Sequence, residues 1–129
     1  MTEEPANEPS LIVEREYFCS LCSGVAATIR LYSRNDKFEL VRLSFTSELT
    51  MRGPEERTAS VQTLLESGDV AALYQFDLEV ACFYCPTCDA CYCGKHWTCR
   101  DVFDDDDGFF WHDSIRGRCP NGHERMLED

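Results

Sequence analysis

Four pairs of metal-ligating side chains constrain this chain more than any other feature. They are Cys19-x2-Cys22, Cys85-x2-Cys88, Cys93-x2-His96 and Cys119-x3-His123. A two-residue gap lets one tight turn aim two side chains at the same ion while its backbone N–H groups face the thiolate sulfurs. Zinc takes four nitrogen or sulfur ligands in a tetrahedron, so two such turns complete one site and four pairs make two. Pro120 and Gly122 bend the chain sharply between Cys119 and His123, which suits the last pair to this task. Mixed cysteine and histidine ligands favour zinc over an iron–sulfur cluster. The expected cofactors are therefore two Zn2+ ions.

Two pairings are open. In a sequential scheme Cys19, Cys22, Cys85 and Cys88 hold one ion, and Cys93, His96, Cys119 and His123 hold the other. In a cross-braced scheme Cys19 and Cys22 join Cys93 and His96. The sequential scheme is preferred, because each ion would then close one small β unit. Cys82, Cys91 and Cys99 are left over. Cys82 reads as a core side chain, while Cys91, Cys99 and His112 are possible substitutes for named ligands. Nine cysteines in a secreted chain would suggest disulfides; their odd number and their clustering with histidine favour metal.

Catalytic readings fare worse. Cys85-Pro-Thr-Cys88 resembles a thioredoxin-type redox pair, yet no amphipathic helix follows to lower a thiol pKa. His123-Glu124 begins like a metalloprotease motif, but Leu127 stands where its second histidine belongs. A zinc deaminase pattern is absent. The acidic run Asp104–Asp107 before Gly108 fails as a calcium loop, since Phe103 and Ser114 fall where carboxylates are needed. The chain is expected not to be an enzyme.

The formal charge of −12, from 24 acidic and 12 basic residues, repels phosphate backbones and disfavours nucleic acid as a partner. Six thiolates outweigh two divalent cations, so loading the sites leaves the chain no less acidic. No apolar run is long enough for a membrane span, and Met1–Ser10 lacks the pattern of a signal peptide. A cytoplasmic location is expected.

Residues 1–9 read as a flexible acidic tail and 10–129 as one two-zinc domain. Leu11 to Phe18 suggests a first strand. Val25 to Tyr32 is a clearer one, with Val25, Ala27, Ile29 and Leu31 on one face. A polar turn at 33–37 leads to a strand from Phe38 to Thr46, with Glu39, Val41, Leu43 and Phe45 on one side, completing a hairpin. Pro54 to Glu66 reads as a helix ended by Ser67-Gly68. Asp69 caps a second one in which Val70, Leu73 and Tyr74 align. Leu78 to Phe83 is expected to be a short strand. Val102-Phe103 and Phe109-Phe110-Trp111 suggest a second hairpin whose aromatic residues fill the core around the second ion or, where exposed, contact another protein. Trp97 follows the same logic. The fold class is α+β: a small antiparallel sheet, one or two helices and a zinc-rich C-terminal third.

The run Cys85-Pro-Thr-Cys88-Asp-Ala-Cys-Tyr-Cys93-Gly-Lys-His96-Trp resembles in-between-RING and related treble-clef zinc modules. The likeness covers about 40 residues of the 129. It implies sequential filling of two sites. That family lacks an insert like Val25 to Phe83 between its first two pairs, and no catalytic module of a ring-between-ring ligase is found here, so ligase activity is not implied. A looser resemblance, through FYCPxC, YCxxHW and CPxGHxR, is to uncharacterised bacterial zinc proteins and implies no function. The expected function is a zinc-stabilised protein-interaction or adaptor module whose partner is another protein. The alternatives are a nucleic-acid-binding zinc ribbon and a thiol–disulfide redox protein using Cys85 and Cys88.

Overall fold

The computed structural model describes residues 9–104 and 111–128, with the backbone alone at 100–104, 111–114 and 128. The chain is α+β. Strands β1 (Ser10–Phe18), β2 (Val25–Arg34), β3 (Lys37–Ser44) and β4 (Glu48–Pro54) form an antiparallel meander in that order. A short 3-10 turn, Glu55–Arg57, leads into α1 (Thr58–Ser67), and α2 (Val70–Phe76) follows. A two-residue ribbon, β5 (Tyr84–Cys85) with β6 (Ala90–Cys91), precedes a three-stranded antiparallel sheet of β7 (Thr98–Asp104), β8 (Trp111–Arg118) and β9 (Glu124–Glu128).

Local chemistry explains most of these boundaries. Arg34 and Lys37 are paired across a two-residue turn in which Asn35 and Asp36 have φ of 50° and 61°. Positive φ at both central positions matches the right-handed twist of a hairpin, and Asn and Asp tolerate it best after glycine. Gly68 ends α1 in the left-handed region at φ 70°, and the Asp69 side chain accepts from the Ala72 N–H to start α2. Val61, Leu65 and Leu73 are the buried side chains of the two helices.

The β3 face that enters the core carries Phe38, Leu40 and Arg42, with Leu40 paired to Leu31 and Arg42 to Ile29, and Glu39, Val41 and Leu43 lie on the other side. Leu78 to Phe83 is a run of turns, not a strand. Its apolar side chains are buried at Val80, Ala81, Cys82 and Phe83, and its backbone finds partners other than a ladder. The Asp77 carboxylate accepts from the N–H groups of Glu79 and Val80, at 2.8 and 3.1 Å. Arg125 donates to the carbonyls of Leu78, Ala81 and Tyr84, and Arg42 donates to that of Glu79. The helix expected from Pro54 begins only at Thr58, since Pro54 ends β4 and Glu55–Arg57 forms a 3-10 turn. Phe109 and Phe110 lie outside the described residues, as does most of the acidic turn before them; of Trp111 only the backbone is described.

Arg42 is the most consequential of these side chains. It is fully buried, and its two terminal nitrogens reach the Ser44 and Thr46 hydroxyls and the carbonyls of Ser47 and Glu79, at 2.7–3.0 Å. It thereby ties the β3–β4 turn to the buried segment before Cys85. Replacing it removes a donor from both hydroxyls and both carbonyls at once. Arg42→Met is expected to cost about 2–4 kcal/mol, within the range for stranding buried polar groups, as read from urea unfolding of the metal-loaded protein.

Candidate metal centres

All eight ligand candidates converge, and they do so in the cross-braced arrangement. Cys19, Cys22, Cys93 and His96 form one group, and Cys85, Cys88, Cys119 and His123 the other, each with its ligand atoms within 4.8 Å of one another. The preferred sequential pairing is thus overturned, and with it the sequential filling that the in-between-RING resemblance implies. The reason lies in how β6 runs. Ser20 donates its N–H to the Cys91 carbonyl at 2.8 Å, so the β1–β2 connection lies beside the chain that leads from Cys91 into Cys93 and His96. Cys119 and His123 bracket the β8–β9 connection, which lands against Cys85 and Cys88 instead.

The spacings fit tetrahedra. Metal–sulfur bonds of about 2.3 Å and metal–nitrogen bonds of about 2.0–2.1 Å give edges of about 3.8 Å between sulfurs and about 3.6 Å from sulfur to nitrogen. In the first group the Nδ1 of His96 lies 3.3 Å from Cys19 Sγ and 3.4 Å from Cys93 Sγ, and Cys22 Sγ lies 3.6 Å from Cys93 Sγ. In the second, His123 Nδ1 lies 3.7, 3.2 and 3.4 Å from the sulfurs of Cys85, Cys88 and Cys119, and Cys88 and Cys119 are 3.7 Å apart. A disulfide would need sulfurs about 2.05 Å apart. None of the nine cysteines forms one. Each Cys3His group can therefore hold one metal ion.

The turns around the ligands are built to receive thiolates. Leu21 N–H points at Cys19 Sγ and Cys88 N–H at Cys85 Sγ, both at 3.4 Å. Ser23 closes the first turn at φ 63°, bonding the Cys19 carbonyl, and Gly122 does the same for Cys119 at φ 89°. Burial opposes ionisation of Cys19, but the backbone of Cys93, Cys22 and Leu21 outweighs it and brings the thiol down to about 6. The Asn121 amide, 3.1 Å from Cys88 Sγ, together with Tyr92, brings Cys88 down to about 6 as well. Burial pushes Cys85 the other way, to about 11. Each group thus holds one thiol whose surroundings already favour the thiolate that a metal needs.

The leftover thiols stay outside both groups. Cys91 is buried on β6, and burial raises it to about 12. Cys82 is fully buried, 3.3 Å from the Ser44 hydroxyl, as a core residue should be, although in a turn and not in a strand. Cys99 is exposed on β7. Only the backbone of His112 is described. Cys85 and Cys88 sit on β5 and the turn leading to β6, with no helix N-terminus after them, so the setting that a thioredoxin-type pair requires is missing. One contributor was not foreseen: Asn121, which also reaches the Tyr92 hydroxyl at 3.4 Å. Its only trace in the sequence is its position between two ligands.

The pairing predicts how double substitutions combine. Cys22→Ser with Cys93→Ser should abolish one of two Co2+-binding sites, seen as loss of half the thiolate-to-cobalt absorbance. Cys22→Ser with Cys119→Ser should disable both. Equal residual absorbance in the two double variants would contradict the geometry.

No curated protein and no solved structure matches the chain. One family does, described as Domain of unknown function (DUF8328), over residues 11–129. With all eight ligands and every described strand but the start of β1 inside that span, the chain belongs to the DUF8328 family.

Proposed function

We propose that the protein is a zinc-stabilised protein-interaction or adaptor module and that both ions are structural zinc. The observation that carries this reading is closure: each group supplies four protein ligands, which leaves a tetrahedral ion no open position for substrate or water. Three thiolates and one imidazole at tetrahedral spacing suit zinc better than the harder cations or the sulfur-only iron clusters. Five of the ligating cysteines, Cys19, Cys85, Cys93 and Cys119 together with the partly buried Cys88, belong to or pack against the hydrophobic core. Ions held there contribute to folding directly, as metal binding and burial become one event.

The ligand sulfurs share that core with apolar neighbours. Tyr92 and Trp97 meet edge to face at 6.2 Å, and the Trp97 indole N–H donates to the Phe83 carbonyl at 3.2 Å. Removing the ions would leave buried thiols and their ordered turns without a centre. The acidic charge of −12 supports a protein partner over a nucleic acid.

Elemental analysis of purified full-length protein is expected to give two zinc per chain, and chelation at neutral pH should melt it cooperatively. Unchanged far-UV circular dichroism after complete removal of zinc contradicts a structural role. Acid acts in the same direction. Cys19 and Cys88 lie at about 6 in the folded chain, below the value of about 8.5 for an unfolded thiol. A group lowered on folding adds stability that is full above its unfolded value and is lost as pH falls through the folded one. Bound metal moves that loss lower still. Zinc should remain bound at pH 7 and be released, with unfolding, only at a pH well below the folded thiol values.

A further inference from the structure

The first ligand turn carries a surface that the core does not use. Phe18, Leu21 and Val25 are exposed by 55%, 59% and 47%, and all three lie within or beside the Cys19–Cys22 turn. Phe18 and Val25 are direct cross-strand partners at the ends of β1 and β2, so their side chains stand next to each other, and Leu21 projects from the turn between them. Beside them opens a hollow lined by Val25, Phe45 and Lys95 together with two ligands of the first group, Cys22 and Cys93, so that it adjoins the first metal position. Isolated exposed apolar residues are ordinary, but three on one short turn beside a hollow are not.

This turn is also held still. Cys19 N–H bonds the Gly24 carbonyl at 2.7 Å, Ser23 N–H bonds the Cys19 carbonyl at 3.0 Å, and Ser20 N–H bonds the Cys91 carbonyl. A surface ordered in advance loses little entropy on binding. Glu16 lies two residues before Phe18, exposed like it and on the same outward side of β1, since Tyr17 between them is buried. Glu14, next along that side, is engaged with Arg30 at 2.6 Å.

We infer that the Phe18–Val25 turn is the docking surface for a segment of another protein that presents a large apolar side chain next to a lysine or arginine. The apolar side chain enters the hollow beside Val25, and the cation faces Glu16. Lys95 lines the hollow, which keeps the cationic end of the occupant on the Glu16 side. A second copy of this chain is disfavoured by the repulsion between two bodies each carrying −12. The acidic field also steers basic segments inward and nucleic acid away. The proposal rests on the interaction-module reading and gives it a place and a partner chemistry.

The test is selection of phage-displayed random dodecapeptides on the full-length, zinc-loaded chain, followed by affinity measurements on synthetic winners at low and high salt. Winners are expected to carry an aromatic or large aliphatic residue adjacent to Lys or Arg. Phe18→Asp and Leu21→Asp should each weaken them about tenfold or more, and Glu16→Lys should weaken them chiefly at low salt. Leu11→Asp, a change at an equally exposed residue at the far end of β1, should leave binding unchanged. Zinc content and amide NMR spectra equal to those of the parent establish that the variants are folded. Absence of any winner, acidic winners, affinities insensitive to Phe18 and Leu21, or sedimentation showing a dimer that Leu21→Asp dissolves would each overturn the proposal. Should the parent chain carry no zinc and still bind basic apolar peptides through Leu21, the zinc reading fails and the surface stands.

Discussion

Each stretch of chain that leaves one ligand group runs into the other. Cys19 and Cys22 start at the first, the meander and both helices carry the chain to Cys85 and Cys88 at the second, and β6 brings it back to Cys93 and His96 before β7 and β8 lead out again to Cys119 and His123. The first group closes a loop that runs from Cys22 to Cys93, and the second a shorter one from Cys88 to Cys119. The two closed loops overlap between Cys85 and His96, so each ion constrains a segment that the other also holds, which two sequential sites would not do. The long closed loops remove much freedom from the unfolded chain, in the manner of any cross-link spanning many residues.

Two arginines do comparable work without metal. The segment from Asp77 to Tyr84 must deliver Cys85 to its group while burying Val80, Ala81, Cys82 and Phe83, and it does so with no strand partner. Buried carbonyls without donors are costly, so Arg42 from β3 and Arg125 from β9 supply them. Arg125 also lies over the Tyr74 ring, 5.1 Å from its centroid, which joins α2 to the same cluster. The guanidinium forks thereby link both sheets to the chain that leads into the second ligand group.

Much of this was legible in the residues. Helix ends marked by Gly68 and Asp69, the β2–β3 hairpin and the eight converging ligands follow from turn chemistry, capping and ligand spacing, all local rules. The false strand at Leu78 to Phe83 has a definite cause. Its buried carbonyls are satisfied by partners distant in sequence, Arg42 and Arg125. Periodicity records which side chains are apolar and carries no record of which far-off donor will meet a backbone oxygen.

The division is clearest at the ligands. The spacing of cysteine and histidine determined by itself that four turns would each present two donors, since a two- or three-residue gap is a property of a few consecutive dihedrals. Which turns meet was decided only by tertiary structure. The four half-sites are chemically near-equivalent, and the choice among them was made by the Ser20–Cys91 hydrogen bond and the path of β6 through a common core.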